Sequence, residues 1–161
     1  MVLIHLAKLS LLETCCDLFS GIIVPTEVKK EVVDRGREKG FPDAIIIDEI
    51  INKGKISVKE VQNRSLVDRA NQFNIHGGEA EAVALYWELD ADLLATDDDN
   101  VRKKKTILGL KIVGTLPIIL KLFMTDMIDK NKFERSLSEL RKIGWFSSGV
   151  LDRIAAEADK K

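Results

Sequence analysis

Two spacings of hydrophobic residues alternate along the chain and predict strands and helices in turn. Short apolar runs that end at turn residues or acids predict buried strands at residues 22–24, 93–96 and 111–113. Residues 55–60 alternate apolar and polar positions through Ile56 and Val58, which predicts a further strand near a sheet edge. Because helical segments separate these strands, the pattern favours an α/β fold with a parallel sheet and helices on both faces.

Helical spacing of apolar residues predicts the other elements. Apolar residues recur at helical spacing from Leu3 to Leu12, which predicts that the chain opens on a helix. Thr26 is expected to cap a second helix, which buries Val32 and Val33. A third helix is expected at residues 42–52, and its core side would consist of Ile45, Ile46, Ile47, Ile50 and Ile51. Further helices are expected at residues 65–73, 79–89, 100–108, 116–124, 132–143 and 148–159.

The length and composition of the chain are typical of one soluble globular domain. Its 161 residues are enough for a single core, and 45% of them are hydrophobic and 32% charged. We therefore expect one domain over residues 1–161. Lys and Arg (25) nearly balance Asp and Glu (26), so the net charge favours neither nucleic acid nor any other partner, and local charge clusters must decide.

Cysteines, histidines and apolar runs argue against several other classes of protein. Cys15 and Cys16 are adjacent in an apolar stretch and indicate buried thiols in a reducing compartment. His5 and His76 have no partner Cys or His at zinc-binding spacing. The longest apolar run, residues 112–124, is too short and too interrupted to span a membrane, and no signal peptide is evident. We expect a cytoplasmic protein with no membrane segment.

Three consecutive carboxylates end one of the predicted strands. Asp97, Asp98 and Asp99 directly follow the strand at residues 93–96. In open α/β sheets, ligands bind at the carboxyl ends of the strands, and adjacent carboxylates repel one another unless a divalent cation neutralises them. The cluster indicates either a cation site or a solvated loop whose acids cap the following helix.

Two glutamates elsewhere in the chain offer further carboxylates. Glu31 lies on or beside the helix face that Val32 buries, where it needs a cation or hydrogen-bond donors, and an ion pair with Arg35 would be the structural alternative. Glu79 opens a predicted helix after Gly77 and Gly78. A glycine pair of this kind allows close approach of a ligand, but the helix dipole alone also favours an acid there.

A basic run follows the acidic cluster. Residues 102–105 are Arg-Lys-Lys-Lys and begin three residues after Asp99. Such a run is an exposed helix face in most proteins, and its position beside the acids makes contact with a phosphate backbone the alternative. Aromatic residues are only 6% of the chain, so stacking on bases is not the expected mode of binding.

The order in which these strands, acids and basic residues follow one another resembles the PIN domain family, in particular the archaeal and bacterial group related to VapC toxins. The resemblance covers nearly the whole chain, including residues 144–146 before the last predicted helix. It rests on the strand before Pro25, on Glu31, on the GExEA motif at residues 78–82, on the DDxxxR motif at residues 97–102 and on Gly114-Thr115-Leu116.

The resemblance implies a three-layer α/β/α sandwich with a parallel sheet, and metal-dependent cleavage of single-stranded RNA. Hard Mg²⁺ or Mn²⁺ takes carboxylate oxygens, and such an ion lowers the pKa of a bound water. By position, the implied metal ligands are Glu31, Glu79 and Asp98, and Asp97 is the extra catalytic acid of this subgroup. The implied nucleic-acid contacts are Arg102, Lys103 and Lys104.

One feature of the family is absent from this sequence. PIN domains begin with a central strand that ends in an Asp, whereas here Met1 directly precedes residues that resemble the following helix. Absence of that strand removes a metal ligand and leaves sheet edges open. We therefore expect the chain to be destabilised, or to close the gap by forming a homodimer or by re-pairing strands. A monodisperse monomer with an ordinary melting temperature would contradict this expectation.

Two functional hypotheses follow from the resemblance. The first is a PIN-type endoribonuclease, which would be the toxin of a toxin–antitoxin pair and would bind an antitoxin protein. The second is a PIN-like module that binds nucleic acid or protein but has lost catalysis with the missing Asp. A nucleotide-driven motor or kinase is disfavoured because no phosphate-binding glycine loop with Lys and Ser or Thr is present.

Overall fold

A computed structural model describes all 161 residues, and its helices and strands follow the predicted order. The first half contains α1 (Val2–Lys8), α2 (Leu12–Leu18), β1 (Ile22–Pro25), α3 (Thr26–Lys29), a π-helical segment (Lys30–Asp34), α4 (Arg35–Glu38), α5 (Pro42–Asn52), β2 (Ile56–Lys59) and α6 (Arg64–Asn71). The second half contains α7 (Gly77–Glu88), β3 (Leu94–Ala95), α8 (Asp99–Lys103), β4 (Ile112–Val113), α9 (Thr115–Met124), α10 (Lys130–Ile143) and α11 (Ser148–Ala158). None of these helices has the length and apolarity needed to cross a bilayer.

The strands form two separate parallel pairs. β1 pairs with β2, with Ile22 opposite Ile56, and β3 pairs with β4, with Leu94 opposite Ile112. Each connection between paired strands contains helices, as parallel pairing requires. The predicted α/β fold with parallel strands is therefore confirmed in its coarse form, while the strands do not join into one sheet.

Hydrophobic cores lie on both faces of the strands. Val24 and Ile56 belong to the larger core, which α1, α2, α5, α9, α10 and α11 complete. Leu94 belongs to the smaller core with α6 and α7, and Ile23 packs against it. Neighbouring residues of β1 therefore point into different cores, since side chains alternate along a strand.

Helix α7 packs against both β1 and β3. The amides of Leu94 and Thr96 donate to Lys111 and Val113, so the peptide groups of Ala95 face the opposite edge of β3. That edge pairs with no strand, and Ala95 is exposed. The two strand pairs thus share a covering helix, and each of β1 and β3 keeps one open edge.

Several details differ from the sequence-based expectations. Thr26 is the first residue of α3 and does not cap it, and the helix expected at residues 100–108 ends at Lys103. The opening residues form two short helices, α1 and α2, because the chain turns at Ser10, where φ is 53°. Ile45 was expected in the core and is 50% exposed, whereas Ile47 and Ile50 of the same helix are buried. Only one stripe of a surface helix faces a core, and five isoleucines are more than that stripe holds in α5.

Candidate acidic site and its basic flank

The predicted acids lie in two groups. Glu31 lies in the π-helical segment after β1, and Glu79 is in the first turn of α7. Asp97 and Asp98 lie between β3 and α8. The first group adjoins the start of α7, and the second follows the C-terminal end of a parallel strand, which is the expected position for ligand contacts in α/β folds.

Glu31 is held against the start of α7. Its Oε1 accepts a hydrogen bond from the backbone N–H of Gly78 at 3.1 Å. The alternative ion pair with Arg35 does not form, because Arg35 lies 3.5 Å from Glu27 instead. Segments of π-helix inside α-helices are common at functional sites. The sequence carried no signal for this segment, yet it contains the carboxylate that contacts α7.

The close approach of Glu31 to α7 depends on the absence of a side chain at Gly78. A Cβ at that position would lie 2.7 Å from Glu31 Oε2 and 3.0 Å from Val28 Cγ2. We expect Gly78→Ala to displace the Glu31 carboxylate and to lower the free energy of unfolding by about 1 kcal/mol, the value of one lost hydrogen bond. Chemical denaturation measures this change.

Gly149→Ala is the matched control for that substitution. Gly149 also lies in the first turn of a helix, and a Cβ there would meet no atom within 4 Å. Its replacement is expected to leave stability unchanged or to raise it by up to about 1 kcal/mol, because alanine is the better helix former. Equal effects of the two substitutions would show that the Glu31 contact contributes nothing.

Glu79 is half-buried, and its carboxylate makes no hydrogen bond or ion pair with another side chain or with the backbone. It lies next to Gly78, whose amide binds Glu31. The start of α7 therefore binds the Glu31 carboxylate through its backbone and carries the Glu79 carboxylate, which has no internal partner. The helix dipole favours both negative charges at this end.

Asp97 is buried, and its carboxylate joins three elements. Its Oδ1 accepts a hydrogen bond from the backbone N–H of Thr115 at 2.8 Å, and its Oδ2 accepts one from the Thr115 hydroxyl at 2.5 Å. His5 Nδ1 of α1 lies 3.1 Å from Oδ2. Because Thr115 is the first residue of α9, this carboxylate also satisfies a free N–H at the start of that helix.

The surroundings of Asp97 favour its charged form. Burial alone would raise the pKa of this carboxyl, but hydrogen bonds from His5 and from the side chain and backbone of Thr115 outweigh burial and lower the pKa below its ordinary value. The acid is therefore ionised at neutral pH, and its charge is matched by internal donors.

Asp98 differs from its neighbour in both exposure and partner. It is half-buried, and its Oδ1 accepts a hydrogen bond from the backbone N–H of Val101 at 2.8 Å, so that it caps α8. The capping alternative for the acidic cluster is thus borne out for this residue. One carboxylate oxygen makes the cap, and Oδ2 has no protein partner.

His5 and Thr115 are site residues that sequence reasoning missed. His5 is 1% exposed, and the rings of Phe146 and Trp145 lie 5.4 and 5.9 Å away. Its Nε2 is buried without a hydrogen-bond partner. A histidine among the leucines of an apolar helix was the available signal, since a buried ring nitrogen needs a polar partner from elsewhere in the fold.

Three residues of the basic run are exposed, and the fourth, Lys104, is half-buried. Arg102 and Lys103, which are predicted nucleic-acid contacts, are exposed, as both a solvated helix face and a phosphate-binding face require. The Lys104 ammonium instead donates to the carbonyl of Phe73 and to the side chain of Asn100. Lys105 is exposed and lines the same surface cavity as Arg102 and Lys103.

The acids do not gather into one cluster. No three Asp, Glu, His or Cys side chains lie close enough together to hold a metal ion. Glu31 binds the backbone at the start of α7, whereas Asp97 and Asp98 follow β3 and bind Thr115 and Val101. The predicted convergence of Glu31, Glu79 and Asp98 is therefore not seen in this arrangement.

Comparison with known protein families identifies the fold. A family model described as PIN domain matches residues 1–160. Searches of curated proteins and of solved structures found no match. PIN domains have a nuclease-type α/β fold, in agreement with the parallel strands and flanking helices. Because the match covers nearly the whole chain, the protein belongs to the PIN domain family.

Proposed function

We propose that this PIN domain protein is a metal-dependent endoribonuclease that cleaves single-stranded RNA. The observation that carries the proposal is the placement of carboxylates in a chain of this family. Glu31 binds the backbone at the start of α7, Glu79 lies in the first turn of that helix, and Asp98 follows β3 with one oxygen free of internal partners. We assign these three acids as metal ligands and infer that Asp97 positions α1 and α9 around them.

The type of donor fits Mg²⁺ or Mn²⁺, but the present spacing does not. Both ions prefer carboxylate oxygens, and Glu31, Glu79 and Asp98 supply only such donors. No three acids are close enough to share an ion. We infer that metal binding needs either a further ligand or a movement that brings the two acid groups together. Weak metal affinity is the expected consequence.

Several finer features belong to the same proposal. We infer a single domain over residues 1–161 of the VapC-related subgroup, and a three-layer sandwich in which a further strand would lie between the open edges of β1 and β3. A homodimer that covers these edges is one way to complete the sheet. As the toxin of a toxin–antitoxin pair in the cytoplasm, the protein would bind an antitoxin.

A second candidate is a PIN-like module that binds RNA or protein without cleaving it. It is favoured because no three acids lie close enough together to hold an ion, and because internal donors already satisfy the Asp97 carboxylate. This candidate predicts binding that persists in chelator and no turnover at any metal concentration.

An RNA cleavage assay separates the two candidates. We expect the wild-type protein to cut unstructured RNA in Mn²⁺ or Mg²⁺ and not in EDTA. The Glu79→Gln variant should cut it at least about 100-fold more slowly under the same conditions. Glu79 has no internal partner, so the neutral isostere leaves the fold intact. Glu49→Gln, an exposed acid of α5, is the control. Binding without cleavage in the wild type would refute the nuclease and favour the binding module.

A further inference from the structure

A cationic cavity lies beside the second acid group. It has a volume of about 280 Å³ and is lined by Asp99, Arg102, Lys103, Lys105 and Ile112. Three positive charges face one negative charge, which leaves a local excess of positive charge in a chain whose net charge is −1. Such an excess attracts anions over a few ångströms even at physiological salt.

The cations of this cavity are available for a ligand. Some basic side chains elsewhere on the surface pair with acids, as Lys29 does with Asp34 at 2.7 Å and Lys55 with Asp17 at 2.9 Å, whereas others such as Lys39 are unpaired. Arg102, Lys103 and Lys105 form no ion pair within 4 Å although Asp99 lines the same cavity. An anion that entered would therefore not compete with existing pairs.

Gly114 connects the cavity to the acids. A Cβ at this glycine would lie 2.8 Å from Arg102 Nη1 and 2.8 Å from Asp97 Oδ1. The guanidinium and the buried carboxylate therefore both approach the same small space, which is open only because residue 114 has no side chain. Arg102 thus reaches from the cavity to the carboxyl end of β3, where Asp97 and Asp98 lie.

We propose that this cavity is a subsite for one phosphate group of the RNA strand, adjacent to the position where the acids act. Arg102, Lys103 and Lys105 would bind the phosphate oxygens, and Ile112 would contact the attached sugar. The proposal rests on the proposed function only for the identity of the strand. Lys104 is not part of the subsite, because its ammonium already binds Phe73 and Asn100.

The cavity is open to solvent and has a volume of about 280 Å³, so a phosphate group of the strand can enter it. Arginine binds phosphate oxygens in a fork geometry, and the two lysines add point charges. Asp99 opposes this attraction, so its removal should strengthen binding.

Fluorescence anisotropy of a short labelled oligouridine, measured in EDTA over a range of salt concentrations, tests the subsite. Each phosphate contact contributes about 0.7 to the slope of log K against log salt for a single strand. Arg102→Gln and Lys105→Gln are each expected to reduce the slope by about 0.7 and the affinity by about fivefold near 0.1 M salt. Asp99→Asn is expected to raise the affinity severalfold, a gain that misfolding does not produce.

Lys39→Gln is the matched control, because Lys39 is exposed, forms no ion pair and lies outside the cavity. The affinity of the Lys39→Gln variant for the oligouridine, and the slope of its log K against log salt, should stay at the wild-type values. Wild-type slopes for Arg102→Gln and Lys105→Gln, or no gain for Asp99→Asn, would overturn the proposal. Inorganic phosphate that competes as strongly as the oligouridine would also overturn it, by assigning the cavity to a free anion.

The outcome is separate from that of the nuclease proposal. If the wild type shows no metal-dependent cleavage while Arg102→Gln and Lys105→Gln still weaken binding, the subsite stands and the nuclease fails. If cleavage depends on Glu79 while both cavity variants bind normally, the nuclease stands and the subsite fails.

Discussion

Replacing Asp97 with alanine is expected to lower the free energy of unfolding by about 3 kcal/mol. Its carboxylate binds the backbone and hydroxyl of Thr115 and contacts His5, and its side chain is only 2% exposed. The substitution leaves these polar groups without a partner where water does not reach, and each unsatisfied buried group costs about 1–3 kcal/mol. Because β3, α9 and α1 meet at this carboxylate, the loss should weaken the whole fold.

Urea denaturation of the two proteins measures this difference. Asp92→Ala is the control, because Asp92 lies in the loop before β3 and is exposed. Its effect should stay within about 0.5 kcal/mol, as for most surface substitutions. A similar small loss for Asp97→Ala would mean that the buried hydrogen bonds do not stabilise the fold.

The pH dependence of stability gives a second measurement on Asp97. Its pKa is lowered in the folded protein, so the ionised carboxylate stabilises the fold above about pH 3.9, the ordinary pKa of aspartate. This contribution is lost as the pH falls through the lower folded-state pKa. The stability gap between wild type and Asp97→Asn should therefore be constant from neutral pH to about pH 4 and should shrink below it. A gap that is unchanged in acid would exclude the charge as its source.

Asp98→Asn is expected to reduce metal-dependent RNA cleavage at saturating RNA by at least about 100-fold. The amide keeps an oxygen for the hydrogen bond from the Val101 N–H, and Asn caps helices as well as Asp does. The substitution therefore removes the negative charge that a hard cation needs while it retains the cap of α8. Single-turnover cleavage with Mn²⁺ measures the loss.

Asp98→Ala separates the two roles of this residue. Alanine removes the cap as well as the charge, so it should cost about 1 kcal/mol of stability in addition to the loss of cleavage. Asp92→Asn should cleave at the wild-type rate. If Asp98→Asn also cleaves at that rate, Asp98 is a helix cap only and does not belong to the proposed metal site.

Local patterns in the sequence predicted the secondary structure well. The strand expected at residues 22–24 is β1, and the helix expected at residues 42–52 is α5 with the same bounds. Pro42 at the first helical position and an apolar run stopped by Pro25 are signals that act within a few residues. The exposed position of Ile45 shows the limit of such patterns, because the width of a helix's buried stripe depends on what packs against it.

The order of the acids in the sequence indicated the PIN family, and the tertiary structure decided their separate roles. Asp97 and Asp98 are adjacent and chemically identical, and no local rule distinguishes them. Asp97 turns inward because its partners, His5 and Thr115, lie 92 and 18 residues away in sequence. Asp98 turns to Val101, three residues ahead, which is the local contact that the capping alternative predicted for the cluster as a whole.

The sequence by itself determined the α/β class, the family and the chemical types of the candidate site. Only the tertiary structure decided that the strands form two pairs, that Glu31 binds the start of α7, and that Lys105 lines the cationic cavity while Lys104 does not. Helices and caps arise from interactions between residues a few positions apart, so they can be predicted from sequence. Contacts between distant residues depend on how elements pack, and packing is set by the whole chain.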